Sequence, residues 1–138
     1  MPNPDCFFET PRAYISKNPL SQALRRIKCD TWFFLSGQLG FDPESGKLVS
    51  GGVRAETRRT MENIKAILED GGSSLRNVVK MTIFHTELSA DERAALNEEY
   101  QLHFEKPYPT RSMVEVSGLA AGAKVEIECI AIDEPAVG

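Results

Sequence analysis

The sequence is poor in the residues from which most metal centres and nucleophilic sites are built. Its 138 residues contain two histidines, His85 and His103, and three cysteines, Cys6, Cys29 and Cys129. The histidines are not spaced as a metal-binding pair, and no two cysteines form a C-x-x-C motif. A G-x-S-x-G nucleophile motif and a glycine-rich phosphate loop are also missing. These absences give no support to a zinc site or a disulfide framework, and they fit a reducing, cytoplasmic compartment.

Positive charge and long apolar segments are scarce as well. The 16 lysines and arginines are outnumbered by 20 aspartates and glutamates, which gives a net charge of -4. Such a balance argues against a nucleic-acid or anionic-membrane partner held by general electrostatics. The apolar runs are far shorter than the ~18 residues of a membrane-spanning helix, and residues 1–5 lack the features of a secretory signal. We therefore expect no membrane partner and no nucleic-acid partner.

What the sequence does contain is the composition of a single globular domain over residues 1–138. Apolar residues make up 41% of the chain and charged residues 26%, which is typical of folded proteins. A chain of this length buries about 68–70% of the surface that it exposes when unfolded. A sizeable core can therefore form without disulfides or metal ions.

Hydrophobic spacing predicts two helices and four strands. Apolar residues recur every three or four positions from Val53 to Leu68, which predicts a helix over 53–70 that Gly71-Gly72 ends. Ser89 and Glu92 have the spacing of a capping box and start a second helix, which Pro107 ends. β-branched and aromatic runs predict strands over 31–35, 78–86, 112–116 and 125–132.

This order of elements predicts an α+β fold in which two helices pack on one face of a mixed sheet. Gly118 and Gly122 lie between the last two strands and indicate a hairpin. Glu126 and Glu128 alternate with apolar residues, so we expect them on the face away from the helices. Because the aromatic strand 31–35 makes full exposure of that face costly, we expect an oligomer that packs its sheets together.

Two side chains offer most of the chemistry. Arg111 stands at the mouth of the strand 112–116, and its guanidinium fork suits a small carboxylate. Glu126 lies in the last strand, and a nearby glutamate can steer a water molecule or shuttle a proton. Each residue also has a simpler interpretation, since Arg111 follows a proline-rich surface loop and Glu126 can merely solvate a sheet face.

Several short segments, which lie between Asn18 and Ile132, share an order and spacing with one known family. They are Leu35-Ser36-Gly37-Gln38, Asp42 with Gly46-Lys47-Leu48-Val49, Asn63–Glu69 with Gly72, Val78-Val79-Lys80, Asn97-Glu98-Glu99-Tyr100, Pro109-Thr110-Arg111-Ser112 and Val125-Glu126-Ile127-Glu128. In this arrangement the chain resembles the RidA (YjgF) family of enamine/imine deaminases.

The resemblance implies a chorismate-mutase-like fold and a homotrimer with three clefts between its subunits. It also implies an activity, the hydrolytic deamination of 2-aminoacrylate-type enamines and imines to 2-keto acids and ammonia. The protein would need no metal and no cofactor for this reaction. Its implied partners are the small carboxylate substrate and the other two subunits.

Matching positions imply roles for individual residues. Arg111 matches the arginine that binds the substrate carboxylate, and Glu126 matches the glutamate near the attacking water. Ser36, Gly37 and Asn97 match residues that line the cleft.

Two positions depart from the family pattern. Leu20 stands where active members usually carry a cleft tyrosine, and Tyr14 is six residues too early to be assumed a replacement. Met113 stands where the family often has cysteine, so the substrate-binding residue at this position is less polar.

The sequence leaves three functions open. The first is the deaminase, with Arg111 and Glu126 as its catalytic residues. The second is a non-catalytic protein that binds a small carboxylate such as a keto acid, and Leu20 is its main support. The third is a chaperone or a nucleic-acid-acting protein, against which the acidic balance and the lack of a base-stacking platform argue.

Overall fold

The structure is a computed structural model that describes residues 7–17, 20–25 and 31–133. Within these ranges the chain forms six strands and two long helices. In chain order these are β1 (Phe7–Phe8), β2 (Ala23–Arg25), β3 (Trp32–Leu35), α1 (Gly52–Gly71), β4 (Val78–His85), α2 (Ala90–Gln101), β5 (Thr110–Glu115) and β6 (Val125–Ile132). Short 3-10 turns precede β4 (Leu75–Asn77) and β6 (Ala120–Gly122).

The strands form one mixed sheet in the order β1-β2-β3-β6-β4-β5. β5 pairs with β4 in parallel, and the other neighbouring strands are antiparallel. The predicted α+β fold with two helices on a mixed sheet is therefore confirmed. The short strands β1 and β2 were not among the four that hydrophobic spacing indicates.

The predicted hairpin between β5 and β6 is wrong. β5 and β6 are not neighbours in the sheet. β6 lies between β3 and β4, while β5 occupies the outer edge beside β4. Burial explains this order, because alternate side chains of β6 are fully enclosed whereas β5 is exposed along nearly its whole length. A long apolar strand belongs at the centre of a sheet and an exposed one at its edge.

The core lies between the sheet and α1. Met61, Ile64 and Ile67 of α1 are completely buried and face fully buried residues of β4 and β6, among them Met81 and Ile127. The helix spans one residue more at each end than hydrophobic spacing predicts. It ends at Gly72, whose left-handed backbone (φ 92°) is a conformation that glycine adopts without strain.

The capping box at the start of α2 is confirmed. The Glu92 amide donates to the Ser89 hydroxyl at 3.1 Å, and the Ser89 amide donates to the Glu92 carboxylate at 3.3 Å. The inner side of α2 buries Leu96 and Tyr100. This helix connects β4 to the parallel strand β5 and therefore passes over the sheet edge where β5 lies.

The two faces of the sheet differ sharply. We call the side covered by α1 and α2 the helix face and the opposite side the open face. Strand alternation places on the open face Trp32, Phe34, Lys80, Thr82, Phe84, Val114, Glu126, Glu128 and Ile130. No helix in the described part of the chain covers these residues, and Trp32 and Phe34 are 39% and 46% exposed. None of the helices in that same part is long and apolar enough to cross a membrane.

The loop that follows β3 is fastened to α1. The Asn63 side chain donates to the carbonyls of Leu39 and Phe41 at 3.1 and 2.9 Å. Between these two residues Gly40 lies so close to the helix that an added Cβ would be 2.9 Å from the Cα and the carbonyl oxygen of Glu56. A side chain at this position would force the loop and the helix apart.

We predict that Gly40→Ala destabilises the protein by about 1–3 kcal/mol, because the clash is with backbone that cannot rotate away. Gly118→Ala is the matched control, since a Cβ there has open space around it. Urea unfolding at one fixed protein concentration measures both changes. Equal midpoints for the two variants would show that the loop does not require the close approach.

Candidate functional site

Arg111 lies on the edge strand β5 and points to the helix face. Its Cα is in register with that of Met81, whose side chain is fully buried beneath the helices. The guanidinium contacts α2 in two ways. Nη1 donates to Oδ1 of Asn97 at 2.7 Å, and Cζ lies 5.0 Å from the ring centroid of Tyr100. This hydrogen bond brings together Arg111 and Asn97, two residues that the sequence resemblance assigns to the cleft without predicting their contact.

The positive charge of Arg111 is available to a ligand. Among the described residues it forms no salt bridge, and its side chain is exposed. It borders a cavity of about 370 Å³ that is lined by Asn97, Tyr100, Gln101, Tyr108, Pro109 and Arg111. A cationic fork beside an opening can accept a carboxylate through two parallel hydrogen bonds.

Glu126 lies on the central strand β6 and points to the open face. Its Cα is in register with that of Phe84, and the buried Val125 and Ile127 on either side point toward the helices. Glu126 is half-buried, and burial raises the pKa of its carboxyl group above the usual value. The negative charge of Glu128 on the same face raises that pKa further. A carboxyl group with a raised pKa is suited to exchanging protons near neutrality.

The loop at residues 36–38 packs directly against Glu126. A Cβ added to Gly37 would collide with the Glu126 carboxylate, so a larger residue at this position would displace the Glu126 side chain. Gln38 and Ile127 exchange two backbone hydrogen bonds of 2.8 and 2.9 Å, which fix the loop beside β6. The Ser36 amide donates to the Gln22 carbonyl at 2.8 Å, and the Ser36 hydroxyl donates to the Ser21 carbonyl.

A second cavity, of about 190 Å³, opens beside Glu126. It is lined by Tyr14, Ser16, Leu20, Gln22, Gly37, Gln38, Leu39, Phe41, Ala120 and Glu126. Leu20, which stands at the family's tyrosine position, is therefore one wall of this cavity. Tyr14 is another wall, and its ring packs on Phe41 with the centroids 4.5 Å apart. Chain distance alone gave no reason to place Tyr14 here.

Met113 lies two residues after Arg111 and on the same face of β5. It is in register with the buried Ile83 and packs against the core while remaining partly exposed. It does not line the cavity beside Arg111. Its role in substrate binding stays a prediction.

Arg111 and Glu126 point to opposite faces of the sheet. Successive side chains along β4 alternate between the faces, and the two residues are in register with Met81 and Phe84, which lie three positions apart. Each borders a cavity that the other does not line. One chain therefore carries two separate candidate half-sites, a cationic one at Arg111 and an acidic one at Glu126.

Comparison with known proteins identifies the family. The family described as endoribonuclease L-PSP matches residues 10–133. The 2-iminobutanoate/2-iminopropanoate deaminase of Capra hircus is 38% identical over 126 residues, which are 91% of this chain and 88% of that protein. The chain belongs to the RidA (YjgF) family.

Solved structures agree with this assignment. RidA from Psychrobacter sp. PAMC 21119 superposes with a TM-score of 0.81 at 39% identity and covers 91% of this chain and 97% of its own. Escherichia coli TdcF superposes with a TM-score of 0.82 at 35% identity, covering 93% of this chain and 98% of its own. The fold is thus the one that the sequence resemblance implies.

The electrostatic coupling on the open face gives a direct prediction. Glu128→Gln removes the like charge that disfavours ionisation of Glu126, so the pKa of Glu126 should fall toward its usual value. Glu44→Gln removes an exposed charge from the loop before α1 and should leave that pKa unchanged. Carbon-13 NMR titration of the Glu126 carboxyl, assigned with Glu126→Gln, measures the shift. A pKa that rises or stays constant in Glu128→Gln would contradict the coupling.

Proposed function

We propose that this protein hydrolyses reactive 2-aminoacrylate-type enamines and their imine tautomers to 2-keto acids and ammonia. The observation that carries the proposal is Arg111, a guanidinium that makes no salt bridge within the described residues and borders an opening. The similarity to proteins that bear the name 2-iminobutanoate/2-iminopropanoate deaminase supports the same reaction class.

Arg111 binds the carboxylate of the substrate in this proposal. Asn97 accepts a hydrogen bond from Nη1 and thereby fixes one edge of the guanidinium. The remaining N–H groups can donate in parallel to two carboxylate oxygens, which sets the orientation of the substrate as well as its charge. Such orientation accounts for much of the rate when the reacting carbon is already electrophilic.

Glu126 positions and activates the water. Its carboxylate accepts a proton as the water oxygen bonds to the imine carbon, and the electron pair of the C=N bond moves to nitrogen. The carboxyl returns this proton to nitrogen, which gives a neutral carbinolamine with one hydroxyl and one amino group. A second transfer through Glu126 moves the hydroxyl proton to the amino nitrogen, so that the C–N bond breaks, ammonia leaves and the hydroxyl oxygen becomes the carbonyl. The raised pKa of Glu126 suits a group that must both take and give the proton.

The complete site needs two subunits. Since Arg111 and Glu126 point to opposite faces of one sheet, they meet at one substrate only when Arg111 of one copy faces Glu126 of another. The aromatic open face supports such association, because Trp32 and Phe34 would leave water on packing against a second sheet. We propose the homotrimer that the family resemblance implies.

A second candidate is a protein that binds a small carboxylate without turning it over. Leu20 favours it, because a hydrocarbon side chain replaces a hydroxyl donor in the cavity that contains Glu126. The structure of Escherichia coli TdcF contains bound serine, an amino acid with a carboxylate. Both candidates use Arg111 in the same way and differ in whether Glu126 performs chemistry.

The Arg111→Ala variant tests whether the guanidinium is needed for activity in a protein that still folds and assembles. We expect keto-acid formation from freshly generated 2-aminoacrylate to fall at least about a hundredfold, because a charge-assisted bidentate contact is lost. Arg76→Ala is the control, since Arg76 is also exposed but lines a different cavity. Size-exclusion chromatography with light scattering verifies that both variants keep the oligomeric state of the wild type.

Two outcomes would contradict the proposed deaminase activity or the proposed role of Arg111. A wild-type rate no faster than buffer contradicts it, and calorimetric binding of 2-oxobutanoate without turnover then favours the binding protein. Equal rates for Arg111→Ala and the wild type would show that Arg111 does not bind the substrate.

A further inference from the structure

Arg111 needs a support that its own strand does not provide. It lies on an exposed edge strand, and a flexible side chain there samples many rotamers unless neighbours restrain it. The structure shows restraints at two points, both on α2. Asn97 holds Nη1, and the ring of Tyr100 lies under the guanidinium carbon at 5.0 Å.

The Tyr100 ring is a rigid platform. Tyr100 is 6% exposed and packs against Phe104, with the ring centroids 4.9 Å apart. Asn97 and Tyr100 are three residues apart, so they project from the same side of α2 toward β5. The helix thus presents a hydrogen-bond acceptor to Nη1 and an aromatic ring to the guanidinium carbon.

The hydroxyl group of Tyr100 does not explain this position. It is buried and has no hydrogen-bond partner in the part of the chain that the structure describes. Burial raises the pKa of Tyr100 to about 12, and the Arg111 charge opposes the rise only in part. Tyr100 lines the cavity beside Arg111, but its hydroxyl oxygen is buried, so we assign the contribution of Tyr100 to its ring.

The geometry points to Tyr100 as a positioning residue that holds the Arg111 guanidinium in the plane required to grip the substrate carboxylate. This inference rests on the proposed carboxylate-binding role of Arg111. A guanidinium over an aromatic face is stabilised by the ring quadrupole. With its central carbon over the ring and Nη1 on Asn97, the guanidinium is oriented before the ligand arrives, which lowers the entropy cost of binding.

An NMR measurement on the wild-type protein tests the contact without any ligand. A guanidinium stacked on a ring should have its Nε–H proton shifted upfield by the ring current, and Arg111→Lys assigns the resonance. Tyr100→Leu should abolish the shift and Tyr100→Phe should restore it. An unshifted Arg111 resonance in the folded wild type overturns the inference, whatever the stability of the variants.

The affinity of Tyr100 variants for a small carboxylate tests whether the ring contributes to binding. We expect Tyr100→Leu to raise the Kd for 2-oxobutanoate and the KM for the imine by roughly threefold to tenfold, with a smaller change in kcat. Tyr100→Phe should recover most of the loss because it keeps the ring. The matched control is Phe104→Leu, which removes an aromatic ring from the same cluster but leaves the one under Arg111, and it should raise Kd much less than Tyr100→Leu does.

The outcomes separate the two proposals. If Arg111→Ala does not weaken 2-oxobutanoate binding, the proposed function fails. If Arg111→Ala weakens binding but Tyr100→Leu does not, only the positioning role fails. Equal losses in Tyr100→Leu and Phe104→Leu would show that the ring matters for packing and not for Arg111.

Discussion

The placement of both candidate site residues depends on the alternation of side chains along a β-strand. Because the period is two, Arg111, in register with Met81, faces the helices, and Glu126, in register with Phe84, faces away from them. Within one chain the sheet lies between the two side chains. In the proposed function a single chain therefore carries two halves of the site, and the proposed chemistry requires copies of the chain to associate.

The local environment of each half-site suits its proposed role. The Arg111 half lies at the sheet edge, where exposure leaves the charge available and α2 restrains it. The Glu126 half lies on the central strand, where burial and Glu128 keep its pKa raised. An edge strand suits a cation that must meet an external anion, whereas a central strand gives the rigid, partly dry position that a proton-transferring carboxyl needs.

Sequence reasoning succeeded where local spacing decides the structure. The period of α1, the capping box at Ser89 and the inward–outward alternation of β6 follow from neighbouring residues and are all present. The strand order could not be predicted in this way. Gly118 and Gly122 indicate that the chain reverses direction before β6, but they do not specify which strand β6 then pairs with. Tyr100 lies on the buried side of α2, and only the fold shows its ring beneath Arg111.

The most direct test of the shared site is complementation between two inactive variants. Arg111→Ala retains Glu126, and Glu126→Ala retains Arg111, so mixed oligomers can form an intact interface only by combining halves from different chains. For random mixing in equal amounts, the account predicts recovery of about a quarter of wild-type activity, because each interface draws one half-site from each neighbour. Activity that stays at the level of the separate variants, in oligomers shown to be mixed, would contradict a site built from two subunits.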